Sequence, residues 1–273
     1  MLQKERLFIS FSGGLTSAYM TWLILNQCGH TYKEIIVLFA NTGQERAETL
    51  DFVNACDNEL DFKTVWLESV THQNLRKGNT HKIVNFETAD RVGFVFEEMI
   101  KKYGIPNIKY PHCTRELKIN PMYDYIKTIG WERGSYDIAI GIRADEMDRV
   151  AVNYKDKNIV YPLIAMNITK TDVQNWWAKQ SFALNLANYE GNCSWCWKKS
   201  YKKHFRLVSE KPDIYQFPRR MEDKYGYSKG YKRVFFRGNL STRDILSGHF
   251  NNDDMFGSGC GETCEVFADE VIS

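Results

Sequence analysis

The sequence has no apolar run approaching the roughly 20 residues that a bilayer-spanning helix needs. That absence excludes a transmembrane helix. No secretory leader is expected either. Met1-Leu2-Gln3-Lys4-Glu5-Arg6 puts no apolar stretch before a small-residue cleavage site and runs straight into a strand-like segment. The expected location is therefore the cytoplasm, with no membrane partner. There is no internal repeat and no low-complexity tract. A G-x-x-x-x-G-K-[ST] loop is also lacking, which excludes the Lys-bearing kind of phosphate loop.

What is present suits a folded soluble protein. The 273 residues are 43% apolar and 26% charged, enough for one large domain or a core domain with an appendage. Seven cysteines are an odd number in a chain too large to need disulfide staples, so thiols or metal ligands are expected. Cys28 and Cys56 sit in apolar, helix-like surroundings and read as small buried hydrophobes. Cys113, Cys193, Cys196, Cys260 and Cys264 sit in polar or Gly-containing segments and need another account. Net charge is only +2, but it is uneven. Lys198 to Arg243 holds 14 Lys and Arg against 4 Asp and Glu, which leaves the rest of the chain at −8. Nine Tyr and Phe are interleaved there. This mixture suits either a nucleic-acid partner, through phosphate contacts and base stacking, or a solvated face over an aromatic core.

Strand-like and helix-like patterns alternate along the first two thirds. Leu7 to Phe11 reads as a short buried strand, and Thr16 to Gln27 as a helix. Ile35 to Ala40 is a continuous apolar run, the pattern of a parallel strand covered on both faces. Ala47 to Asn58 reads as a helix and Lys63 to Leu67 as a strand. The stretch from Val70 to Tyr110 reads as a polar loop followed by a helix from Val92 to Tyr103. Leu117 to Ile129 then reads as a helix, and Asp137 to Ile142 and Asn158 to Leu163 as strands. Thr171 to Gln180 is a further helix with Thr169 or Thr171 as N-cap. The pattern predicts an α/β fold, a doubly wound and mostly parallel sheet of Rossmann-like type. The predicted division is a nucleotide-binding domain over 1–197 and a helical or irregular C-terminal appendage over 198–273.

In such a sheet, ligands bind beyond the carboxyl ends of the strands. Three segments fall there: Ser12 to Ser17, Asn41 to Glu45, and Gly141 to Arg149. In the first, Gly13 and Gly14 let the backbone bend and approach a ligand closely. The following helix start directs N–H groups at an anion. Ser12, Thr16 and Ser17 add hydroxyl donors.

Ser12-Gly13-Gly14-Leu15-Thr16-Ser17 after a strand resembles the PP-loop of the ATP-pyrophosphatase, or adenine nucleotide α-hydrolase, superfamily. Four further segments resemble the phosphoadenosine phosphosulfate (PAPS) reductase family. They are Asn41-Thr42-Gly43 with Glu45, Glu48 and Thr49; Cys113 to Lys118 followed by Pro121; Gly141 to Arg149; and Tyr161-Pro162-Leu163 with Thr169 to Trp177. The resemblance implies that Ser12, Gly13, Gly14, Thr16 and Ser17 hold nucleotide phosphates, with Asn41, Thr42 and Gly43 near the adenosine. It implies that Lys118, Arg143 and Arg149 bind phosphate or sulfate oxygens. Asp145 and Glu146 would support a cation such as magnesium or orient the arginines.

Gly191-Asn192-Cys193-Ser194-Trp195-Cys196 contains a C-x-x-C spacing, common to metal and redox sites. Cluster-bearing relatives pair such a motif with two adjacent cysteines, where this chain has His112-Cys113. Cys113, Cys193 and Cys196 are thus candidate ligands of a 4Fe–4S cluster, with His112, Cys260 or Cys264 as fourth ligand. A zinc ion with His112, or free thiols, are the other two readings. PAPS reductases attack the sulfonate with a tail cysteine in an E-C-G motif, and Cys260-Gly261 is similar with Gly259 in place of the glutamate. Cys260 and Cys264 are therefore candidate catalytic thiols, along with Lys118 and Arg143. The implied activity is sulfonucleotide reduction on PAPS or APS, with a thiol reductant such as thioredoxin. The Ser-Gly-Gly loop favours ATP and a pyrophosphate-releasing sulfurtransferase acting on nucleic acid. A nucleotide-binding module without catalysis is the third possibility.

Overall fold

A computed structural model describes residues 4–228 and 230–248. Six strands form one sheet: β1 (Arg6–Ser10), β2 (Glu34–Asn41), β3 (Val65–Val70), β4 (Thr80–Val84), β5 (Tyr136–Ile140) and β6 (Ile159–Val160). Their order is β4-β3-β2-β1-β5-β6, parallel throughout except for β4, which runs antiparallel to β3. The order reverses at β1, which has β2 on one side and β5 on the other. A crevice opens at such a reversal, beyond the carboxyl ends of the strands. The fold is the expected doubly wound α/β fold.

The strand sequences explain the burial. Side chains alternate across a strand. Leu7 and Ile9 of β1, with Val37 and Phe39 of β2, enter one core. Helices α1 (Leu15–Leu23), α2 (Ala47–Leu60) and α7 (Lys170–Trp177) cover it. Phe8, Leu38 and Ala40 enter the opposite core. That face is covered by α5 (Asn120–Thr128), through Met122 and Ile126. A three-residue helix, α4 (His112–Thr114), leads into α5 through a π-type turn over Arg115–Ile119. Helix α7 opens on Thr169, which shares a capping box with Asp172, as the sequence suggests.

A third core lies beside α3 (Phe94–Tyr103). Val95, Phe96, Met99 and Ile100 of α3 meet Trp195 and Trp197, together with residues of α8 (Tyr201–Glu210), α9 (Gln216–Tyr225) and α10 (Thr242–Leu246). A short pair, β7 (Tyr227–Ser228) and β8 (Tyr231–Lys232), closes this region.

Two sequence expectations are corrected. β4 was not expected; it falls in the stretch read as a polar loop. It is an edge strand with His81 and Lys82 in its middle, so no apolar run marks it. The strand expected over 158–163 is only Ile159–Val160, because Pro162 instead opens α6 (Pro162–Ala165). Among the described residues, no helix is long and apolar enough to cross a membrane.

Candidate functional site

The loop after β1 is held open by its own side chains. Gly13 has φ +75°, a left-handed conformation that favours glycine. A Cβ there would lie 2.8 Å from Thr49 Cγ2 and 3.0 Å from Val53 Cγ2, both on α2. The Ser17 hydroxyl lies 2.8 Å from that of Ser12, accepts from the Ser12 N–H and donates to the Gly14 carbonyl. Gly14 caps α1 without any side chain on the helix N-terminus. A helix start without a side-chain cap is the arrangement that receives a phosphate. Thr16 and Ser17 lie in that first turn. Gly141, just past β5, is the complementary concession. A Cβ on it would sit 3.0 Å from Ser17 Cα, so its lack of side chain lets α1 approach the strand end.

The β5 loop supplies cations to the same mouth. Arg143 is 8% exposed, and its Nη1 donates to Thr16 Oγ1 at 3.0 Å. Asp145 holds Arg143 Nε at 3.0 Å, and Glu146 lies 3.3 Å from Arg143 Nη1 and 2.6 Å from Arg149 Nη1. The Arg143 hydrogen bond, with its charge, lowers the Asp145 carboxyl below its ordinary range. Of the two roles expected for these carboxylates, orienting the arginines is the one the contacts display. Both carboxylates are engaged with guanidinium groups, which does not suit them as magnesium ligands.

The β2 turn uses its polar groups internally. Asn41 Nδ2 donates to Glu68 Oε1 at 2.7 Å and to the Asp90 carbonyl, while its Oδ1 accepts from the Gly43 N–H. A Cβ on Gly43 would meet Asp90 Oδ2 at 2.2 Å. Thr42 Oγ1 donates to Glu45 Oε1 at 3.1 Å. Glu45 also receives Lys118 Nζ at 3.3 Å. Lys118 lies in the π-type turn, a local distortion often found at functional sites. Asn41, Thr42 and Gly43 thus shape the turn, and Lys118 projects to its rim.

The cysteine loop docks onto the loop after β1. Asn192 Nδ2 donates to the Ser12 carbonyl at 2.6 Å. The Arg46 N–H donates to the Asn192 carbonyl at 2.8 Å, and the Ser194 N–H to the Gln44 carbonyl at 3.1 Å. Glu45 and Cys193 form an isolated antiparallel bridge. A buried ion pair, Arg46 Nη1 to Glu190 Oε1 at 3.1 Å, anchors the approach to the loop. Trp195 Nε1 donates to Gln44 Oε1 at 2.6 Å from a fully buried ring. Cys193 and Cys196 share a hydrogen bond that favours charge on Cys196, assisted by Lys199, and pushes the Cys193 thiol up. Lys199 Nζ donates to the Cys193 carbonyl at 2.6 Å.

The expected metal set is not brought together. Among the described residues, no group of three or more His, Cys, Asp or Glu side chains is placed to hold a metal ion. Cys193 and Cys196 are neighbours, and Cys113 packs against the third core, which also holds Trp195 and Trp197. His112 stacks on Tyr110 at 5.9 Å, and burial lowers its pKa. The candidate catalytic thiols Cys260 and Cys264 lie outside the described residues.

Sequence reasoning missed Asn192, Lys199 and Glu68. Glu68 carried a readable signal, a carboxylate inside the apolar run of β3, and it is fully buried against Asn41. Asn192 carried none, since its partner is 180 residues away.

A mostly parallel sheet with a glycine loop at its reversal, and Arg143 bonded to that loop, is the architecture of the PP-loop superfamily. Residues 6–186 match the phosphoadenosine phosphosulfate reductase domain, and the chain belongs to that family. It is 30% identical, over 96% of both chains, to an uncharacterised nin region protein of Escherichia phage lambda. It is 26% identical to an uncharacterised protein of Methanocaldococcus jannaschii, over 61% of this chain and 34% of that one. A solved PAPS reductase of Candida auris in a phosphate complex overlays with TM-score 0.42 and 16% identity, covering 66% of this chain and 74% of that one.

Proposed function

We propose that the chain reduces a sulfonucleotide, PAPS or APS, to sulfite and a nucleoside phosphate. The observation that carries this reading is the contact between an anion-binding loop and a thiol-bearing loop, through Asn192 Nδ2 and the Ser12 carbonyl at 2.6 Å. In this reading the helix N-terminus after Gly14 and the hydroxyls of Ser12, Thr16 and Ser17 take the nucleotide phosphates. Arg143, Arg149 and Lys118 take the remaining phosphate and sulfate oxygens, since guanidinium forks and an ammonium suit those anions. Their charge favours departure of the nucleotide when a cysteine thiolate attacks the sulfonate sulfur. A thiol reductant of thioredoxin type regenerates the enzyme, which suits a reducing compartment such as the cytoplasm.

A second reading rests on the Ser12-Gly13-Gly14 sequence itself, which favours ATP, pyrophosphate release and sulfur transfer to a nucleic acid. The basic appendage lends it less support than composition suggests. Tyr201, Tyr215, Phe217, Phe235 and Phe236 are in the third core, and Arg206, Lys211, Lys224 and Arg243 are ion-paired. The two readings separate when protein purified without oxygen is given PAPS, APS and ATP side by side with a thiol reductant. Sulfite from PAPS or APS is the expected outcome. Pyrophosphate from ATP only with added RNA or DNA replaces it with the second reading. Tight nucleotide binding with no turnover leaves a binding module.

A further inference from the structure

We infer that the loop before α4 and strand β8 together form a binding strip for single-stranded nucleic acid, in which Tyr110 and Tyr231 stack on bases and Lys109 and Arg233 hold phosphates. This goes beyond the sulfonucleotide reading and holds whichever nucleotide the crevice takes. It rests on the rings and cations that the third core leaves outside. Residues 104–115 carry Lys109 and Arg115, residues 226–243 carry five Lys and Arg, and neither segment has an Asp or Glu. The fold joins the two segments. Asn107 Nδ2 donates to the Val234 carbonyl at 3.4 Å. Arg233 Nη1 lies 3.2 Å from where a Cβ on Gly104 would stand. The hairpin pairing continues past β8, since the Arg233 N–H donates to the Gly226 carbonyl at 2.7 Å. Side chains two apart on a strand share a face. Tyr231 therefore stands on the face of the hairpin from which Arg233 reaches Gly104.

The side chains are set out for an unpaired base and its backbone. Tyr110 is 52% exposed although its ring lies nearly parallel to that of His112, and Tyr231 is 72% exposed. Exposed rings of this kind accept any base, because every base has a π-face. Lys109 is exposed and Arg233 half-buried, and among the described residues no carboxylate pairs with either. Carboxylates on the adjoining helices are engaged elsewhere. Glu97 holds Lys224 and Tyr225, and Glu222 accepts from the Phe235 and Thr242 N–H groups. Glu116 holds Arg115 and Asn120. The strip thus keeps its positive charge, which a phosphate backbone complements. A duplex hides its base faces, so the exposed tyrosines favour a single strand over a double one. They favour it over an acidic protein as well, since carboxylates need only the cations. The helical run from His112 to Lys118, roughly 9 Å long, joins the strip to the rim of the crevice.

The test is fluorescence anisotropy of the full-length protein with labelled oligonucleotides of about 12 nucleotides, single-stranded and duplex, and with labelled poly-glutamate. The single strand is expected to bind with a Kd below about 100 µM at about 50 mM salt, and the other two probes more weakly. Tyr110→Ala and Tyr231→Ala are each expected to weaken single-strand binding about five-fold or more, with the salt dependence unchanged. Lys109→Gln and Arg233→Gln are each expected to weaken it and to lower the slope of log affinity against log salt by about 0.7. Lys63→Gln, just before β3 at the amino ends of the strands, is the control and is expected to change neither. Tyr231 and Lys109 are exposed, so their variants decide the matter even if Tyr110→Ala lowers stability. No binding of the single strand overturns the assignment. Poly-glutamate bound as tightly, with both tyrosine variants unaltered, replaces it with a face for an acidic protein. A duplex bound as tightly overturns the single-strand assignment, and a loss in Lys63→Gln equal to that in Lys109→Gln removes the strip as the place of binding.

Discussion

His204 is wholly buried in the third core, with Nδ1 2.7 Å from the Tyr215 hydroxyl and no partner at Nε2. Burial, aided by the charges of Lys199 and Arg237, lowers its pKa from 6.5 to about 3. In the folded protein it is therefore neutral across the range in which an unfolded chain takes up a proton. Between those two values the unfolded state binds more protons, so stability rises with pH. It is complete above about pH 6.5 and is lost as pH falls toward 3, by ~1.4 kcal/mol for each unit. Urea unfolding at pH 7, 6 and 5 should follow that slope, and His204→Gln should flatten it. An equal slope in both proteins would mean that other groups govern the acid sensitivity. The sequence placed His204 only within a basic, aromatic stretch. The choice between a nucleic-acid surface and an aromatic core turned on where each ring pointed. Tyr215 and Phe236 went inward with His204, whereas Tyr227 and Tyr231 are exposed.

The loop between β1 and α1 was legible as an element because its two constraints are local: glycines at a strand end, and a helix start behind them. The structure adds why Gly13 tolerates no replacement. Gly13→Ala would force a Cβ against Thr49 and Val53 at positive φ. The cost is about 1–3 kcal/mol. If the loop yields rather than α2, nucleotide affinity falls by about ten-fold or more. Calorimetric titration with nucleotide and denaturant unfolding should register the two losses. Gly78→Ala is the control, since its Cβ would meet nothing within 4 Å. Gly13→Ala with unaltered affinity and stability would remove the loop from the site. The edge strand β4 was not legible, because a half-exposed strand carrying His81 and Lys82 has neither an apolar run nor clear alternation. The π-type turn that carries Lys118 was equally silent, since one extra residue in a helix leaves no periodic mark over so short a segment.

At the scale of the molecule, alternating strands and helices announced the doubly wound sheet. The boundary near residue 198 has a different physical meaning from the one composition suggested. Trp195 and Trp197 belong to the same core as α8, α9 and α10, and that core continues into α3 and Leu117. The ring of Trp195 stacks beside Phe217 at 6.0 Å and meets Phe235 edge-on at 4.7 Å. Trp195→Ala should cost about 3–5 kcal/mol in unfolding free energy. It should also loosen the cysteine loop, through loss of the bond to Gln44. Hydrogen exchange of the Ser194 N–H would report that loosening. A cost within experimental error would show that the appendage does not depend on this anchor.

The bond from Asn192 to the Ser12 carbonyl joins residues 180 positions apart. A ribosome adds about 5–20 residues each second. The loop after β1 therefore waits about 9–36 s for the amide that closes it. A newborn chain holds this loop without its last tie, and the cell makes every copy of this protein in that order.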